Sequence, residues 1–146
     1  MSETGPAKSR KRRTWLMPQE VEVWYILPAI RRELTRTMIE MGIPQKQIAQ
    51  MLGVTEPAVT QYKLSKSKRS RGDQVDIPEK ILPEIRKSAD VLIAAWENRN
   101  EGEHVYEIMT KEINRLIEIL RDAGTMCDVH REYCQHVDNE CRACKD

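Results

Sequence analysis

Residues 45–64 read QKQIAQMLGVTEPAVTQYKL, and this stretch decides the fold class. With Gln45 opening a twenty-residue unit, Ile48, Leu52, Val54, Val59 and Tyr62 recur where two short helices would share a small core. Ala49 stands where the two helices cross closely and a bulky side chain would clash. Gly53 falls in the tight turn, where a positive φ is needed and glycine supplies it cheaply. Thr55 is a natural N-cap for the second helix. Glu56 suits that helix's positive end, and Pro57 sits in its first turn, where a missing N–H is not needed. Independent requirements met in one register predict a helix-turn-helix.

Such a motif points to double-stranded DNA as partner. The second helix, roughly 56–64, is expected to enter the major groove with its N-terminal residues at the base edges. Thr55, Glu56, Pro57, Thr60 and Gln61 are the base-contact candidates. Gln61 can pair bidentately with adenine, Glu56 can accept from a cytosine amino group, and Thr60 can offer a hydroxyl or a methyl. Pro57 and Ala58 can touch a thymine methyl. Gln45 and Lys46 should face phosphates, and Lys63, Lys66, Lys68 and Arg69 should add backbone contacts that position rather than specify. The rival class is a protein–protein adaptor that uses the same helical hairpin without nucleic acid.

Outward from this unit the pattern stays helical. Residues 18–41 carry Val21, Trp24, Tyr25, Ile30, Leu34 and Met38 at helical spacing, with Pro28 expected to kink or restart the helix. Residues 65–77 form a polar linker. Residues 78–97 carry Ile81, Leu82, Ile85, Ala89, Leu92, Ile93 and Trp96 at a period near 3.6, and Pro83 suggests a late start or a kink. Residues 103–123 place Val105, Ile108, Met109, Ile113, Leu116, Ile117 and Leu120 on one face, with Gly124 as a C-cap. No strand-like alternation occurs. The expected fold is all-α: a helix-turn-helix domain, then two amphipathic helices for dimerisation, then a short metal-binding tail. The expected divisions are a basic arm at 1–17, the DNA-binding domain at 18–71, the dimerisation region at 72–124 and the cysteine tail at 125–146.

Charge divides the chain in the same sense. Residues 1–71 hold 14 Lys/Arg against 6 Asp/Glu, a net +8, and residues 72–146 hold 10 against 17, a net −7. The front is charged to meet a polyanion and the back is not. The arm adds Lys8, Arg10, Lys11, Arg12 and Arg13, which suit phosphates or a minor groove. No apolar run approaches the roughly 20 residues that span a bilayer, and no signal peptide is recognisable. A cytoplasmic protein without a membrane partner is expected. No nucleophile–base pair, phosphate loop or paired-carboxylate motif is present, so neither an enzyme nor a small-molecule substrate is expected.

All four cysteines, Cys127, Cys134, Cys141 and Cys144, lie in the last twenty residues, spaced C-x6-C-x6-C-x2-C. Thiolates are soft ligands that select iron–sulfur clusters or zinc. Four of them can hold a [4Fe–4S] cluster, one per iron. Zinc stays open, because structural zinc sites favour two close pairs and Cys127-x2-His130 could supply the second. A reversible disulfide switch is a third reading. His130 and His136 are expected beside the ligands or exposed rather than ligating.

The stretch YILPAIRREL together with IPQKQIAQMLGVTEPAVTQYKLSKS resembles a family of archaeal transcriptional regulators with a helix-turn-helix of the XRE type. The likeness lies in LPAIR, in the QIAQMLGVT core and in the Pro-Ala-Val start of the second helix. It covers residues 20–70 well and the tail in outline, through CDVHRE at 127–132 and CRAC at 141–144. The resemblance implies iron–sulfur binding and redox- or iron-linked gene control. The combined expectation is a homodimeric regulator, since one such motif buries too little surface for tight specific binding. Residues 78–97 and 103–123 would form the dimer contact, with 21–27 as an addition.

Overall fold

The computed structural model describes residues 16–69 and 73–133, and within them the chain is all-helical. The first helix runs as α1 (Pro18–Val21), a π-helical turn (Glu22–Ile26) and α2 (Leu27–Glu40) without a break. Pro28 explains the π turn. Its ring would press on the carbonyl four residues back, and it has no N–H to offer. The wider turn, closed by Leu27 N–H donating to the Glu22 carbonyl, lets the helix pass the proline instead of restarting.

Two short helices follow, α3 (Gln45–Leu52) and α4 (Glu56–Lys63), then single 3-10 turns at Lys66–Lys68 and Glu79–Ile81. The chain continues as α5 (Leu82–Asn98), α6 (Tyr106–Asp122) and α7 (Thr125–Tyr133). Pro83 lies in the first turn of α5, so the late start is the correct alternative there. The helix α7 corrects the expected division at 125, since residues 125–133 form a helix rather than the start of a cysteine tail.

α2 is the central element and packs against α3, α4, α5 and α6. It buries Ala29, Ile30, Leu34 and Met38 completely. α5 contributes Ile85, Ala89, Leu92 and Trp96, and α6 contributes Met109, Ile113, Leu116 and Leu120. The apolar stripes of α5 and α6 are therefore spent within this chain's own core. A polar clamp fixes their alignment. Arg115 reaches Glu84 Oε1 at 2.6 Å and Ser88 Oγ at 2.8 Å, and Ser88 donates to Glu112 at 2.7 Å. Pairing 84 with 115 and 88 with 112 makes the two helices antiparallel.

α7 folds back on the first helix. Tyr133 stacks on Tyr25 with centroids 4.2 Å apart. His130 meets the Leu16 carbonyl through Nε2, and both residues are buried. Arg121 of α6 adds an ion pair to Glu22 of the π turn at 2.6 Å. No helix among the described residues is long and apolar enough to cross a membrane.

Candidate nucleic-acid interface

The small core beneath α3 and α4 follows from the spacing of the sequence. Ile48, Leu52 and Val59 are fully buried and Ala49 nearly so. Val54 and Tyr62 are half-buried against them. Gly53 ends α3 at φ +67°, and its N–H donates to the Ala49 carbonyl. A side chain there would be strained by φ alone. The turn also rests on α6, because a Cβ at Gly53 would lie 3.8 Å from the Met109 methyl. Thr55 caps α4, its Oγ1 accepting from Ala58 N–H at 3.2 Å.

Most of the candidate residues are open to solvent. Lys46, Thr55, Glu56, Pro57, Thr60, Gln61, Lys63 and Lys68 are exposed, and Gln45 is partly so. Gln45, at the start of α3, bridges the two helices. Its Nε2 donates to Thr60 Oγ1 at 2.6 Å and to the Glu56 carbonyl at 3.3 Å. Lys63 Nζ donates back to Gln45 Oε1 at 3.4 Å. Gln45, Thr60 and Lys63 thus form one polar unit, while Gln61 stands beside it. Lys66 lies on the 3-10 turn that follows.

Arg69 behaves differently from the exposed cations. Its side chain is 6% exposed and lies 3.6 Å from the Asp73 carboxylate, with Nε donating to the Asp73 carbonyl at 3.1 Å. Burial pulls the Arg69 pKa down from its ordinary value, helped by the neighbouring Arg32. Burial likewise pushes the Asp73 carboxyl upward, and Arg32 opposes that shift.

Sequence reasoning missed the arginines behind this face. Arg32 is 1% exposed, although it sits in what reads as the polar part of α2. Its guanidinium donates to Asp73 Oδ1 at 2.6 Å and to the Val75 carbonyl at 2.7 Å. One turn further on, Arg36 donates to the Tyr62 carbonyl at 3.2 Å and to the Leu64 carbonyl at 2.7 Å. Their spacing of four was the available signal, but apart from Glu33 beside Arg32 the polar partners lie 26 to 43 residues away in sequence.

Cys127 is a free, buried thiol on α7. Cys134, Cys141 and Cys144 lie outside the described residues, as does the arm up to residue 15. Among the described residues no group of three or more His, Cys, Asp or Glu side chains gathers as a metal site. His130, on α7, is bound to the Leu16 carbonyl just ahead of the first helix. Comparison with family models, curated proteins and solved structures gave no match to this chain.

Proposed function

We propose that this chain is a cytoplasmic, sequence-specific DNA-binding transcriptional regulator that reads its site with the helix-turn-helix at 45–64. The observation that carries the reading is the outward face of α4. It is capped by Thr55, cross-braced by Gln45, and presents Thr60, Gln61 and Lys63 to solvent. The hydroxyl, amide and ammonium groups on that face, beside the single acid Glu56, are the kinds of group that meet base edges and phosphates. Gln61, Thr60 and Glu56 are the base readers in this proposal. Lys46, Lys63, Lys66 and Lys68 are the phosphate contacts, and Arg69 is left out because its guanidinium is committed to Asp73.

The regulator is proposed to act as a homodimer, because a single motif of this size gives little specific affinity. The contact would use outer surfaces, such as that carrying Met17 and Val23, since the inner stripes of α5 and α6 are occupied. The tail cysteines, with Cys127 as the first, are proposed to hold a [4Fe–4S] cluster, with zinc as the other metal this thiolate set would take. Such a cluster supplies redox sensitivity. Cys127 fits the ligand set in being an unpaired thiol, and its helix rests on the first helix, which also carries α4.

The test is selection of duplexes from a randomised pool by the full-length protein, purified without oxygen. One motif should be enriched, and Gln61→Ala should relax one base position by about tenfold. Absence of enrichment with unselective binding to other proteins would favour the adaptor. Metal analysis of the same sample should find iron that Cys141→Ser removes. Zinc in its place would assign a structural site.

A further inference from the structure

α4 is weakly held by apolar packing. It has eight residues, and Val59 is the one fully buried among them. A helix that short is marginal by itself, so its pose depends on what grips its ends. The N-terminal end is gripped by Thr55 and Gln45. The C-terminal end leaves carbonyls without intrahelical partners; Leu64 N–H meets that of Gln61, and α2 meets those of Tyr62 and the capping Leu64.

We propose that Arg36 is a positioning residue for DNA recognition, its guanidinium fixing the aim of α4 by bridging the Tyr62 and Leu64 carbonyls, with Arg32 anchoring the basic stretch that follows. The proposal rests on the reading of 45–64 as the DNA-contacting unit. Arg36 and Arg32 stand one turn apart on α2, about 6 Å along its axis. Arg36 holds Leu64, where the stretch Ser65–Arg69 begins. Arg32 holds Asp73, and Asp73 holds Arg69, where that stretch ends. Both ends of the segment carrying Lys66 and Lys68 are therefore referred to one helix. Tyr62 lies between the two grips, half-buried, with Arg31 of α2 beside it.

The chemistry requires a guanidinium at 36. Its planar fork meets two carbonyls at once, and a cation at a helix C-terminus is favoured by the helix dipole. A lysine would keep the charge but present a single flexible donor group. Charge-driven contact with DNA would then be unchanged, while the register of Gln61 and Thr60 against the bases would loosen.

The test is Arg36→Lys in the full-length protein. Binding is measured to the duplex that the wild type enriches from a randomised pool, and to poly(dI-dC) as the unselective probe. The expected result is about a tenfold loss on the selected duplex. Affinity for poly(dI-dC) and the slope of log K against log salt should stay at the wild-type values. Equal losses on both duplexes, no loss on either, or a variant that does not fold would overturn the proposal, because Arg36 would then serve stability or nothing. If the wild type itself enriches no duplex, the DNA reading fails at that earlier step.

Discussion

The α3–α4 unit and the α5–α6 hairpin are both pairs of helices, yet they are held by opposite means. α5 and α6 each place four apolar side chains in the core, beginning with Ile85 and Met109. The Arg115 clamp then adds alignment to a contact that apolar packing already secures. α4 buries Val59 and is otherwise fixed by an N-cap, a glutamine bridge and an arginine fork. The difference assigns roles. The hairpin is scaffold, and its inner surface is finished. The shorter pair has polar fastenings at its edges and leaves its outer side exposed.

Three perturbations should break or sharpen this contrast. The largest effect belongs to the scaffold. Leu116 is fully buried on α6, and Leu116→Ala should cost about 3 kcal/mol of global stability in thermal or denaturant unfolding. A loss below about 1 kcal/mol would mean that the α5–α6 packing is not the main support. A smaller effect belongs to the cap. Thr55→Ala removes one hydrogen bond at the start of α4 and should cost about 1 kcal/mol. It should also raise amide exchange in 56–63 more than in α5, and uniform exchange would contradict the local role.

The smallest effect is confined to α7. Burial pushes the Tyr133 hydroxyl up to about 12 from an ordinary value of 10.0, with Glu132 and Tyr25 adding to the shift. A raised folded value means that the docked phenol resists ionisation. Docking of α7 is then complete below pH 10 and weakens as pH rises from 10 to about 12. The protection of amides in 125–133, taken relative to the intrinsic exchange rate at each pH, should fall over that window, and Tyr133→Phe should remove the fall. A fall that persists in the phenylalanine variant would place its origin elsewhere.

The all-helical class and the α3–α4 unit were legible because their signals are local. Gly53, Thr55 and Pro57 act on their own backbone, and Ile48, Leu52 and Val59 report through spacing. The stripes of α5 and α6 were legible too, but a stripe does not say whether it faces the same chain or another. The structure uses them within the chain. α7 was hidden behind Cys127 and the three cysteines that follow it, which place residues 125–133 in the expected metal tail, although Met126, Val129 and Tyr133 make a buried helical face. The π turn was half legible. Pro28 announced a disturbance, but its form depends on how the surrounding helices hold Tyr25 and Ile26. Arg32 and Arg36 were not legible, because the groups that hold them, the Asp73 carboxylate and Val75 carbonyl for buried Arg32 and the Tyr62 and Leu64 carbonyls for half-buried Arg36, are distant in sequence.

The most direct test of the central claim is a salt titration of the full-length protein on its pool-selected duplex, run beside Gln61→Ala and Lys63→Ala. The expected result is a steep fall of affinity with salt. Lys63→Ala should flatten the slope by about one unit on any duplex, and Gln61→Ala should keep the slope but lose preference for the selected sequence. Affinity that is independent of salt, and equal for selected and scrambled duplexes, would contradict the assignment of 45–64 as a DNA-reading unit.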